Sequence, residues 1–184
     1  LLCTGVFGLD LGAFTPFLWA LRDRERILDL FELTCGARLL YNYMWIGGLS
    51  HDIPVGFVES TYKFLDYFEP KIDELENILA HNKILVERSA DIGVMPKDIA
   101  ISYGVTGPNL RASGVKWDLR KDDPYSIYDR FDFDVPVGEG LMGTIGDCWD
   151  RYYVRVLELK ESVKILRQAI SSIPEGDVHA ALPK

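Results

Sequence analysis

LDLGAFTPFLWALRDRERILDLFELTCGAR, residues 9–38, decides the fold class. Phe17, Leu21, Leu28 and Phe31 fall on one stripe at helical spacing, not at the alternation of a half-buried strand. The charged patch RDRER, residues 22–26, interrupts that stripe. Thr15-Pro16 is a helix start signal, because Pro tolerates the first helical turn and a Thr ahead of it can cap. The pattern predicts a long helix reaching about Leu40, preceded by a shorter buried helix. Asp10 is the only ionisable carboxyl between Leu1 and Leu21, and no Lys, Arg or His accompanies it there. A lone buried charge is costly, so such a group pairs, neutralises or takes part in chemistry. Asp10 is thus expected to be a buried acid that caps the next helix, meets an Arg brought in by the fold, or handles a proton.

Outward from this stretch, Tyr62, Leu65, Phe68, Ile72, Leu75 and Leu79 keep helical spacing over roughly 55–81, with Pro70 as an expected break or kink. PKDIAISYG, residues 96–104, has Pro at its start and Gly at its end, the signature of a short helix. Residues 104–148 lose the period and gain Gly and Pro. Within them RFDFDVPV, residues 130–137, alternates like a short strand. A last helix is expected over about 146–173, with Trp149, Tyr153, Val156, Val163 and Ile170 inward. GARLLYNYMWIGG, residues 36–48, is expected to be a helix end packing aromatics. The fold class is mainly α with minor β: long helices of a bundle plus an irregular loop region with short strands.

A net charge of -8, from 20 basic and 28 acidic residues, argues against nucleic acid or an anionic membrane surface as the main partner. Cys3, Cys35 and Cys148 form no CxxC pair, and each is expected to be a reduced, small core residue. His51, His81 and His179 have no metal-ligand spacing, so no metal site is expected. Residues 1–21 are apolar, but Asp10, Gly5, Gly8, Gly12 and Pro16 fit two buried helices better than a membrane span. GVKWDLRK (114–121) and GDCWDRYYVR (146–155) carry aromatic-acid-arginine clusters. Asp118, Arg120, Asp147, Asp150 and Arg151 are expected to pin the loop region as structural ion pairs.

The order of the motifs is more specific than any one of them. LDLGAFTPFLWALRDRERILDLFELTCGAR, YNYMWIGG, IDELE, GVTGPNLRASGVKWDLRK, PYSIYD and FDVPVG…GDCWDRYYVR resemble, in sequence, the quinone-site large subunit of NADH-quinone oxidoreductase, respiratory complex I. The resemblance covers nearly the whole chain. It implies a fold like that of nickel-iron hydrogenase large subunits, without the metal centre, and a chain that is the central part of one larger domain extending at both ends. It also implies a quinone site shared with a small iron–sulfur subunit, in an assembly with other peripheral-arm and membrane-arm subunits. The substrate is quinone, reduced by two electrons and two protons and coupled to ion pumping, with iron–sulfur clusters and flavin held by partner subunits. The implied location is peripheral, on the cytoplasmic side of a bacterial inner membrane.

The family's LDLGA aspartate, here Asp10, stands behind a quinone-site His and is implied in proton coupling. That His and a Tyr at the head group belong to the part upstream, and none of this chain's histidines takes their role. Val6, Thr15 and Leu18 are implied in the neighbourhood of the quinone chamber, and Arg38 and Leu40 near the terminal cluster of the partner subunit. Four departures stand out. Leu40 replaces a His common in the family, Trp45 an Arg and Val6 a Thr, and GEGLMGTIGD (138–147) is longer than the usual link. A Leu cannot gain a proton when the cluster is reduced, which implies a lower cluster potential. Two other readings of the residues are a membrane-bound nickel-iron hydrogenase large subunit and a non-catalytic scaffold of the same fold.

Overall fold

The computed structural model describes residues 1–180. Eight α-helices, one π-turn, one 3-10 turn and a two-stranded ribbon follow one another among these residues, so the fold is mainly α with minor β. Helix α1 spans Leu2–Asp10 and α2 spans Phe14–Cys35. The ribbon pairs β1 (Met44–Trp45) with β2 (Gly48–Leu49), antiparallel. Helix α3, Phe57–Leu75, runs directly into a π-turn at Glu76–Ala80. Four short helices follow: α4 (Lys83–Ser89), α5 (Lys97–Ser102), α6 (Gly107–Ala112) and α7 (Leu119–Asp122). A 3-10 turn at Tyr128–Arg130 precedes the long α8, Cys148–Ser171. No described helix is long and apolar enough to cross a membrane.

The core lies where α3, the π-turn and α8 meet. Leu65, Phe68, Ile72, Leu79, Trp149, Tyr152, Val156 and Val163 are buried there, and Phe7, Leu11 and Ala13 close it from the α1–α2 side. Most of the stripe expected on α3 is therefore core, with Tyr62 half-buried. Pro70 does not end the helix. It sits on an exposed face beside exposed Asp66 and Glu69, where the carbonyl that loses its partner can be solvated.

Helix α2 stops at Cys35, short of Leu40, because Gly36 adopts φ +71° and its N–H bonds the Glu32 carbonyl at 2.8 Å. Its start is uncapped: Ala13 is the N-cap and Thr15 lies inside the first turn. YNYMWIGG is not a helix end but the β1–β2 ribbon, turned at Ile46-Gly47 with Gly47 at φ +89°.

RFDFDVPV is extended but joins no sheet. Phe131 and Phe133 are buried against Ile165 while Asp132 and Asp134 face out, the alternation of a strand. Its hydrogen bonds go to helix side chains instead. The Asp132 and Asp134 N–H groups donate at 2.8 Å to Gln168 Oε1 and Glu161 Oε2 of α8. Gln168 returns a bond to the Asp132 carbonyl at 2.6 Å.

Candidate functional site

Helix α1 is apolar along its length and crosses α2 at close range. A methyl group on Gly5 would lie 2.8 Å from the Ala20 Cβ, so only a glycine lets the two backbones approach this far. The helix ends at Asp10. The Gly8 carbonyl accepts from both the Leu11 N–H (3.2 Å) and the Ala13 N–H (2.8 Å), and Gly12 reverses the chain at φ +92°.

Asp10 is exposed, contrary to the buried acid expected from the sequence. It does not cap α2, whose N-cap is Ala13. Among the described residues no salt bridge or side-chain hydrogen bond reaches its carboxylate. A negative charge on the last residue of a helix opposes the helix dipole, so nothing in local stability asks for an acid here. Thr15 and Leu18 lie exposed on the first turns of α2, and Val6 is half-buried on α1. Phe14 and Leu2 join them as exposed apolar groups of the same two helices. Leu2, Val6 and Asp10 repeat every fourth residue along α1, and Phe14 and Leu18 do so along α2, so the exposed apolar groups and the one carboxylate lie on the same two helices.

Arg38 and Leu40 lie on the connection from α2 to the ribbon. Arg38 folds back along α2 and pairs with Glu25 (2.5 Å), Asp29 (2.6 Å) and Glu32 (2.9 Å). Three carboxylates hold its guanidinium strongly protonated. Leu40 is 90% exposed, with Met44, Trp45 and Ile46 also exposed along the ribbon. The ribbon is held on one side by residues 178–180, through the Gly48–His179 bridge and the Trp45–His179 ring contact, while Leu40, Met44 and Ile46 stay exposed as an apolar projection, the composition of a contact surface.

The five residues expected to pair in the loop region divide into two groups. Asp118 accepts from the Arg120 guanidinium at 2.6 Å. Asp147, Asp150 and Arg151 form no ion pairs with one another; they bind backbone. Asp147 caps α8 through the Asp150 N–H at 2.8 Å and also accepts from the Asp91 N–H at 2.9 Å. Asp150 accepts from the N–H groups of Gly140 (3.1 Å) and Gly146 (3.2 Å). Arg151 donates to the carbonyls of Gly146 (2.5 Å) and Gly93 (2.9 Å). An irregular loop has no ladder to satisfy its peptide groups, and these side chains replace one.

Arg111 and Glu158 were not among the residues expected from the sequence. Arg111, on α6, is buried and bridges Asp118 at 3.4 Å and Glu158 of α8. It also donates to the Trp117 carbonyl at 3.2 Å. Burial pushes the Asp118 carboxyl up, but the Arg120 guanidinium and N–H, with Arg111 behind them, hold it below the ordinary range. Burial raises Asp150, and the two glycine N–H groups do not offset it. Two of the cysteines expected in the core, Cys35 and Cys148, are half-buried; the third, Cys3, is exposed, and all are free. Among the described residues no group of three His, Cys, Asp or Glu could hold a metal ion.

Comparison with known proteins gives the affiliation. Residues 10–184 match the family described as respiratory-chain NADH dehydrogenase, 49 kDa subunit. Over 187 aligned residues the chain is 56% identical to a D subunit of NADH-quinone oxidoreductase from Cytophaga hutchinsonii, covering 98% of the chain and 48% of that protein. It is 52% identical to the D subunit from Chlorobium phaeovibrioides and 54% identical to that from Chlorobaculum tepidum, each over 100% of the chain and 47% of the relative. The chain thus spans about half the length of the curated relatives it matches. With the family match running from Asp10 onward and the motifs in their order, the chain belongs to the 49 kDa subunit family of respiratory-chain NADH dehydrogenase.

Proposed function

We propose that this chain is the central part of a complex I subunit that forms a quinone-reduction site with an adjacent iron–sulfur subunit, and that Asp10 is its proton-handling group. The observation that carries the reading is the exposed Asp10 carboxylate at the C-terminal end of the otherwise apolar α1, without a partner among the described residues. Such a position destabilises the isolated helix, which favours a role outside it. Quinone reduction takes up two electrons and two protons, and a carboxylate beside a hydrogen-bonded His can relay one of them. Val6, Thr15 and Leu18 would supply the apolar wall that keeps water from the head group. Leu40, with the ribbon, would seat against the partner that holds the terminal cluster, and Arg38 would brace that arm from behind. The assembly would lie on the cytoplasmic face of a bacterial inner membrane, held there by membrane-arm subunits.

The hydrogenase reading is not favoured, because both the family match and the relatives are those of the NADH dehydrogenase. The scaffold reading is separated by Asp10→Asn in the complete complex. The expected result is intact assembly, normal electron transfer from NADH to hexacyanoferrate, and quinone reduction lowered by about 10²-fold. Parental quinone turnover in that variant would make Asp10 a surface residue and leave the scaffold.

A further inference from the structure

The end of α1 rests on an irregular piece of backbone. Gly8, two residues before Asp10, faces the π-turn: a methyl group there would lie 3.2 Å from Leu79 Cδ2 and 3.4 Å from the Ala13 carbonyl oxygen. Leu79 is fully buried inside that turn. π-Turns are rare and concentrate where a helix serves function, so what holds this one in register matters. Two locks do. The Trp149 indole N–H donates to the Ala80 carbonyl at 2.9 Å in the core. Glu76 accepts from the Tyr153 hydroxyl at 3.0 Å and from Lys160 at 2.6 Å, tying the first residue of the turn to α8. Tyr152, next in sequence to Tyr153, stacks on Phe7 of α1 with centroids 5.0 Å apart. The π-turn is thus fixed to α8, and α1 lies on both.

We propose that the π-turn Glu76–Ala80 is the seat that sets the position of Asp10, with Gly8 and Leu79 as the positioning contact. This rests on the reading of Asp10 as the proton-handling group. Glycine at 8 is what lets α1 descend onto Leu79. The same residue's carbonyl accepts both turn-closing N–H groups, so a shift at Gly8 carries the whole Asp10 turn with it. Packed cores move as units, and a displaced carboxylate transfers a proton poorly.

The test uses the assembled membrane complex with Gly8→Ala, Leu79→Val, the double variant and Asp10→Asn. Alanine forms helix better than glycine, so Gly8→Ala does not weaken α1 itself. Rates are normalised to iron–sulfur content, which removes any loss of assembled complex. Gly8→Ala is expected to lower kcat for quinone about tenfold, with KM and hexacyanoferrate reduction unchanged. Leu79→Val, which shortens the opposing side chain, is expected to restore kcat in the double variant. Parental kcat in Gly8→Ala beside a slow Asp10→Asn would overturn the seat and leave the reading of Asp10. A slow Gly8→Ala that Leu79→Val fails to rescue would overturn it too. Parental turnover in Asp10→Asn would remove both.

Discussion

Trp149 donates its indole N–H to the Ala80 carbonyl at 2.9 Å, with both residues fully buried, and so joins the first turn of α8 to the last residue of the π-turn. The bond spans 69 residues and is part of what makes α3, the π-turn and α8 one core. Trp149→Phe keeps an aromatic ring against Tyr153 but leaves the carbonyl without its donor. A buried polar group left unpaired costs about 1–3 kcal/mol. For a full-length subunit about twice the length of this chain, that predicts melting lowered by roughly 1–2 °C per kcal/mol, read by calorimetry. An unchanged melting temperature would mean the Ala80 carbonyl finds another donor.

Arg111 sits between Asp118 and Glu158 with almost no solvent contact. Removing one member of a buried ion pair costs about 3–5 kcal/mol, because the others keep their desolvation penalty and lose their partner. Arg120 still neutralises Asp118, so Arg111→Met should act chiefly by stranding Glu158. Arg111→Met combined with Glu158→Leu is therefore expected to be much less destabilised than Arg111→Met alone. Denaturant unfolding of the four members of this cycle in the full-length subunit checks it. Simple addition of the two single effects would show that Glu158 is not the stranded charge.

Asp118 also predicts an acid limb. Its carboxyl is held below its ordinary value in the folded state, chiefly by the Arg120 guanidinium working against burial. A depressed folded value means stability that is fully present above the unfolded pKa of about 3.9 and is lost as pH falls through the folded value. Asp150 works in the opposite sense: its folded value is raised by burial, so its contribution is present at low pH and fades as pH rises through that value. Asp118→Asn should flatten the loss of stability below about pH 4. Asp150→Asn should leave that limb standing. Melting temperature against pH for both variants gives the answer, and an unchanged acid limb in Asp118→Asn would assign it to other carboxylates.

Helices α2, α3 and α8 were legible because their apolar residues repeat with the helical period, and a period survives without knowledge of neighbours. What depends on neighbours was not. The ribbon at Met44–Leu49 lies in an apolar run without alternation, and only the Gly47-Gly48 pair marks its turn. RFDFDVPV alternates as a strand does, yet its partner is α8, whose Gln168 and Glu161 side chains take the place of a neighbouring strand. Arg111 carries no local sign of its role, since Glu158 is 47 residues away. Asp10 drew attention through its isolation in an apolar stretch. Its exposure was hidden, because apolar sequence is also what an open contact face is made of.

Leu40 offers a test of the partner surface. It is 90% exposed at the root of the ribbon, where the family resemblance sets a His beside the terminal iron–sulfur cluster of the partner subunit. If Leu40 seats against that cluster as proposed, a leucine there has no proton to gain, and charge at this position does not compensate cluster reduction. Leu40→His places a titratable group at a position that no described residue covers. Its imidazole should take up a proton when the cluster is reduced, because added negative charge raises a neighbouring pKa. The cluster potential should then rise and become pH-dependent, approaching about 59 mV per pH unit for one proton per electron. Redox titration of the assembled complex, followed by electron paramagnetic resonance at several pH values, measures both. The parental protein should show a potential with little dependence on pH between 6 and 8, roughly the range in which histidine titrates. A pH-independent potential in Leu40→His would place this residue away from the cluster and remove the ribbon from that interface.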